Sequence, residues 1–160
     1  MPDSIMKSET TSSFAYELLS DTVTFNFVVR HCNTHPVPAF EDFSVTDADY
    51  AEFKKYVLAS SFNYRPRALR MLEVLQEATK GDDFEATEEF ESLRKALTPN
   101  IEEELERNKQ VICDFLKLLI VKCSYTEKQT YDVKLKSDKV VSKAVELIRN
   151  SDAIEDILGK

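Results

Sequence analysis

The chain has 160 residues, of which 42% are hydrophobic, so it can bury a core and is not disordered by composition. Its net charge of -8 disfavours nonspecific binding to nucleic acid, which needs clustered Lys and Arg to neutralise phosphate. Only two glycines occur, Gly81 and Gly159, and this excludes phosphate-cradling loops, dinucleotide fingerprints and nucleophile elbows, all of which need glycine where the backbone turns sharply.

Met1 to Thr10 lacks the apolar stretch of a signal peptide, which taken alone suggests the cytosol. Phe14 to Leu19 reads as a short helix. Ser20-Asp21 then caps a helix from Thr22 to about Asn33, with Val23, Phe27 and Arg30 or His31 inward, and Pro36 and Pro38 end it. Phe40 and Phe43 pin the following linker to the core. Thr46 with Asp49 three residues on forms an N-cap pattern for a helix from Asp47 to about Ala59, which places Tyr50, Phe53, Val57 and Leu58 on one side.

Pro66 suits the first position of the next helix, which runs to about Lys80 with Leu69, Leu72, Val74, Leu75 and Ala78 inward; Gly81 stops it. Phe84 to Leu97 reads as an acidic helix, with Phe84, Phe90, Leu93 and Leu97 inward. Its outer carboxylates, among them Asp82, Asp83, Glu85 and Glu88, read as a solvated face without calcium-loop spacing. Thr98-Pro99 opens a long helix whose first turn holds Glu102, Glu103 and Glu104 against the positive end of the helix dipole. Its inward set is Ile101, Leu105, Asn108, Ile112, Phe115, Leu119 and Lys122 or Cys123.

The run from Val111 to Val121 is apolar enough to need cover on more than one side. Val111, Leu118 and Val121 form its second apolar side, and are either core or a docking surface. It is too short and too charged to span a membrane. Thr130, Tyr131, Val133 and Leu135 alternate like extended chain. Ser137-Asp138 caps a helix from Lys139 to Asn150, and Ser151 opens a final short piece ending near Leu158. The fold class is all-α, with six to eight helices and at most one short extended element near Tyr131. Residues 1–160 form one helical domain, divisible into 1–97 and 98–160.

Chemistry-bearing side chains are sparse. His31 and His35 lie one helical turn apart, as zinc ligands can, but Cys32 points elsewhere and the neighbouring sequence offers no third ligand. They read as a helix-end surface, with no metal and no cofactor. Lys55 and Ser60 are five apart, outside the spacing that makes helix neighbours, so a Ser/Lys dyad from Lys54, Lys55, Ser60 and Ser61 is not formed. Arg65, Arg67 and Arg70 make a small basic patch, either solvated or docking to an acidic surface. Cys32, Cys113 and Cys123 are odd in number, form no C-x-x-C and read as buried free thiols.

The wording of the chain resembles the helical C-terminal region of carboxy-terminal processing proteases, especially those of Bacteroidetes-type bacteria. Pro2-Asp3 resembles the end of the last strand of the catalytic domain. Phe14-Ala15-Tyr16-Glu17-Leu18-Leu19 and Phe25-Asn26-Phe27-Val28-Val29 resemble the two helices that follow it. Phe43-Ser44-Val45-Thr46-Asp47 and Phe53-Lys54-Lys55-Tyr56-Val57 resemble the next helix and its approach. Arg107-Asn108-Lys109, Lys134 to Lys139 and Ala144 to Ile148 resemble the tail. Where the family has a tyrosine-rich helix end, this chain has Lys122-Cys123-Ser124-Tyr125.

The resemblance implies a domain excised from a longer parent, a PDZ-containing Ser/Lys peptidase exported to the periplasm or cell envelope. The dyad would lie upstream, so this chain would not itself be an enzyme. Its partners would be the catalytic and PDZ domains or another subunit. The helices would serve packing, oligomerisation or control of substrate access. The alternative is a stand-alone cytosolic helical interaction domain.

Overall fold

The computed structural model describes residues 11–36, 39–40, 43–80 and 87–149. These residues are all-α. Nine helical segments follow one another among them: α1 Ser13–Ser20, α2 Thr22–Thr34, α3 Asp47–Ala59, α4 Arg67–Ala78, α5 Thr87–Leu97, α6 Ile101–Arg107, α7 Lys109–Ser124, α8 Glu127–Ser137 and α9 Lys139–Arg149. Gly81, Phe84 and the segment from Ser151 to Leu158 lie outside the described residues, as do Met1 to Thr10.

Local capping sets most of the boundaries. The Ser12 hydroxyl accepts the Ala15 N–H at 3.1 Å, and Asp21 accepts the Val23 N–H at 2.8 Å. At α3, Thr46 and Asp49 close a full capping box: the Thr46 hydroxyl accepts the Asp49 N–H, and the Asp49 carboxylate accepts the Thr46 N–H at 2.7 Å.

α1, α2, α3, α6 and α7 enclose the core. Phe14, Leu18, Phe27, Phe53, Val57, Leu105, Ile112 and Leu116 are among its buried members, drawn from both sides of the 97/98 boundary. Edge-to-face rings join the elements, with Phe27 on Phe53 at 5.0 Å and Phe14 on Tyr64 at 5.3 Å. Phe40 and Phe43 pack on Tyr125 at the end of α7, as their linker role requires.

Tyr50 is the polar tie of this core. Its hydroxyl donates to the Leu105 carbonyl at 2.7 Å, which fixes α3 against α6. Burial, with the Glu106 charge as a lesser cause, pushes its phenol from 10.0 to about 12. The folded state therefore holds this proton more tightly than the unfolded chain. Its contribution is complete below pH 10 and is lost as pH rises from about 10 to about 12. Alkaline unfolding followed by circular dichroism should show a flatter decline over that range in Tyr50→Phe. The same variant should be less stable by about 1 kcal/mol at neutral pH, from the lost hydrogen bond. Identical alkaline slopes would remove the assignment.

The structure departs from the sequence expectation in several places. Residues 127–137 are helix, not extended chain. A second complete capping box, Thr126 with Gln129, starts α8, and this local signal overrides the alternation around Tyr131. The long helix is broken at Asn108, which ends α6 and begins α7. The Asn108 side chain donates to the Glu104 carbonyl at 2.7 Å and accepts the Ser12 hydroxyl at 2.6 Å, tying the break to α1. Asn100, not Thr98, caps α6 by accepting the Glu102 N–H, while the Thr98 hydroxyl turns back onto the Arg94 carbonyl to close α5.

The buried face of α7 is also turned. Ile112 is inside, as expected, and Leu116, Ile120 and Val121 join it; Leu119 packs half-buried at the edge of the core, Phe115 is half-buried and Cys123 is exposed. An almost uninterrupted apolar run carries no polar marker to select a face, so the neighbours α1, α2 and α8 select it. Consequently Cys123 is exposed and Cys113 half-buried; Cys32, on α2, is half-buried too, so none of the three thiols is fully covered.

Candidate functional site

The most informative surface is apolar and largely exposed, with Val141 and Leu147 half-buried beside α8. α9 packs mainly on α8, and none of its residues is buried. Its apolar residues Val140, Val141, Ala144, Val145, Leu147 and Ile148 recur at helical spacing and share one broad face. Val140 and Ile148 are 63% and 70% exposed. Tyr131 and Leu135 on α8 are exposed as well.

A second such surface lies on the α4–α5 hairpin. α4 buries Leu69 and Leu72, as expected, but Val74 and Leu75, read as inward, are exposed together with Met71. α5 has no buried residue, and Leu93 is exposed. α4 thus carries two apolar sides, and the hairpin covers one of them.

The sequence-derived interface residues separate in the structure. Val121 is fully buried in the core and has no surface to offer a partner, while Val111 is exposed and Leu118 is half-buried. The turned register of α7 is the cause. Arg65 pairs with Glu73, and Arg70 reaches Glu17 at 3.5 Å, so two of the three arginines are already engaged within the chain. Arg67 is exposed at the start of α4.

Of the residues considered for a Ser/Lys dyad, Ser60 and Lys54 are engaged, while Lys55 and Ser61 are exposed. The Ser60 hydroxyl donates to the Val57 carbonyl at 2.6 Å and accepts the Phe62 N–H at 3.1 Å, closing α3. Lys54 contacts Glu106 at 2.7 Å and Glu102 at 2.9 Å. These two carboxylates, Glu106 foremost, raise the Lys54 ammonium well above its ordinary range, which is the opposite of what a general base needs.

A family model for the probable PDZ-protease, C-terminal helical domain, matches residues 14–148. The chain belongs to this family. No curated protein and no solved structure matched it. In this PDZ-protease domain the matched region runs from α1 to within α9, so the uncovered face of α9 lies in the family's own helical architecture. No helix among the described residues is long and apolar enough to cross a membrane.

One polar cluster on the PDZ-protease domain escapes sequence reasoning. Glu52 of α3 stands beside the two histidines at the end of α2. Its Oε2 lies 3.7 Å from His31 Nδ1 and 3.7 Å from His35 Nε2. A carboxylate absent from the neighbouring sequence is therefore brought to the two histidines by another helix. No local signal could have found Glu52, because the pairing depends on how α2 packs on α3. The uncovered face of α9 was different: its apolar positions were visible in the sequence, but their lack of a covering element was not.

Proposed function

We propose that this chain is the non-catalytic C-terminal helical domain of an exported Ser/Lys peptidase of the carboxy-terminal processing type, working in the periplasm or cell envelope. Its uncovered faces on α8–α9 and α4–α5 dock against the catalytic or PDZ domain, or a second subunit, and so fix the assembly or govern substrate access. The observation that carries this reading is the uncovered apolar face of α9, set in a chain of the PDZ-protease family. Apolar helix faces of this breadth are normally covered, and large exposed patches mark interaction surfaces. The engaged states of Ser60 and Lys54 support a non-catalytic role.

The test is to mix the purified chain with the separately expressed peptidase and PDZ portion of its parent and follow complex formation by calorimetry. A stoichiometric complex is the expected result. No association, together with unchanged parent activity when residues 139–149 are deleted, would overturn the reading.

A further inference from the structure

We infer that His31, His35 and Glu52 form a binding site for a divalent transition-metal ion of the zinc class, independent of the docking role above. The ligand atoms of the three residues all lie within 4.8 Å of one another. Zinc binds imidazole nitrogen and carboxylate oxygen at about 2.0–2.2 Å, which places neighbouring ligand atoms of a tetrahedral ion about 3.3–3.5 Å apart. Both Glu52 to histidine separations, 3.7 Å, are within a few tenths of that value.

The second observation is an unsatisfied atom. The His31 side chain is 9% exposed, and its Nδ1, the atom facing Glu52, is buried without a hydrogen-bond partner. Buried polar atoms are nearly always satisfied, and an ion between Nδ1 and the carboxylate would satisfy this one. The surrounding fold holds that atom in place. Phe27, one turn before His31, packs on Phe53 at 5.0 Å, and Phe53 directly follows Glu52. The same contact that closes the core therefore sets the distance between the histidines and the carboxylate.

His35 is prepared in a complementary way. Its Nδ1 lies 3.1 Å from the Thr34 hydroxyl and 3.2 Å from the His31 carbonyl; the tautomer protonated there donates to that carbonyl and leaves Nε2 as a lone pair facing Glu52. Metal-ligating histidines are commonly oriented by such a bond from the other ring nitrogen. The rings of His31 and His35 are stacked at 4.1 Å, so closure on an ion requires one of them to tilt. His35, with 44% of its side chain exposed, has the room to pivot about its Nδ1 contact. The ion would also sit at the C-terminal end of α2, where the helix dipole favours positive charge. With three protein ligands, a water would complete a tetrahedral shell. The ion would clip the end of α2 to α3.

The experiment is titration of zinc chloride into the reduced, metal-stripped chain by calorimetry, with a thermal melt in parallel. One ion per chain is expected, with a raised Tm. Glu52→Gln and His35→Ala, both at partly exposed positions, should each weaken binding by about tenfold or more and abolish the rise in Tm. Each variant's melt without zinc verifies that it is folded. Cys123→Ser should bind zinc as the parent does, and the cobalt form should show d–d bands without thiolate charge transfer. Absence of binding, binding unchanged in both site variants, or loss of binding in Cys123→Ser would overturn the site.

Discussion

Phe27→Ala is expected to lower the unfolding free energy by about 3–5 kcal/mol. Phe27 is 1% exposed and stands where α2 meets α3. Its ring packs on Phe53 at 5.0 Å and on Tyr56 at 5.7 Å, with the His31 ring a further neighbour. Truncation removes the transfer free energy of the ring and leaves a cavity walled by rings that are themselves held by other contacts. Helices on both sides limit how far that cavity can collapse. Domains of this size are stable by about 5–15 kcal/mol, so the loss is a large part of the total. At about 2–4 °C per kcal/mol, the midpoint of thermal unfolding should fall by roughly 10 °C. A loss below about 1 kcal/mol in denaturant titration would mean that Phe27 does not hold α2 on α3. The zinc response should weaken in the same variant, because the contact that sets the His31 to Glu52 distance is gone.

The double substitution Val140→Asp with Ile148→Asp should separate stability from docking. Both side chains are exposed on α9, so stability should change by no more than about 0.5 kcal/mol for each. Burying a Val or Ile side chain in an interface is worth about 1.5–3 kcal/mol, and a buried carboxylate is costly in addition. Binding to the peptidase and PDZ portion should therefore fall by roughly 100-fold or more, read by calorimetry. Unchanged binding would remove α9 from the docking surface. A stability loss of several kcal/mol would instead show that this face is covered within the chain. The α4–α5 hairpin offers a parallel surface through Met71, Val74 and Leu75.

The two surfaces and the metal-ligand cluster differ in how much of them sequence could reveal. The helices were legible where their signals are local. Thr46 with Asp49 marks the start of α3, and Asp21 the start of α2. The same kind of signal, Thr126 with Gln129, stands at the start of α8, beside an alternating pattern that by itself points to extended chain. The family resemblance was likewise carried by local wording, chiefly the helices from Phe14 to Val57 and the tail from Lys134 to Ile148.

The buried side of α7 was not legible. Between Val111 and Val121 nearly every position is apolar, so periodicity allows more than one face. Ile112 was legible as inward; contacts with α1 and α2 added Leu116 and Ile120, which placed Val121 in the core and Cys123 in solvent. The break at Asn108 likewise rests on a partner far away in the chain, Ser12.

Local chemistry was thus enough to specify an all-α chain, the starts of helices such as α2, α3 and α9, and the absence of glycine-built catalytic loops. Capping and 3.6-residue periodicity act over a few neighbouring positions, and those neighbours are written side by side. Which apolar face is covered, and which is left for a partner on α9, depended on long-range packing. So did the meeting of Glu52 with His31 and His35, because each joins residues whose proximity exists only after the helices have closed on Phe27 and Phe53.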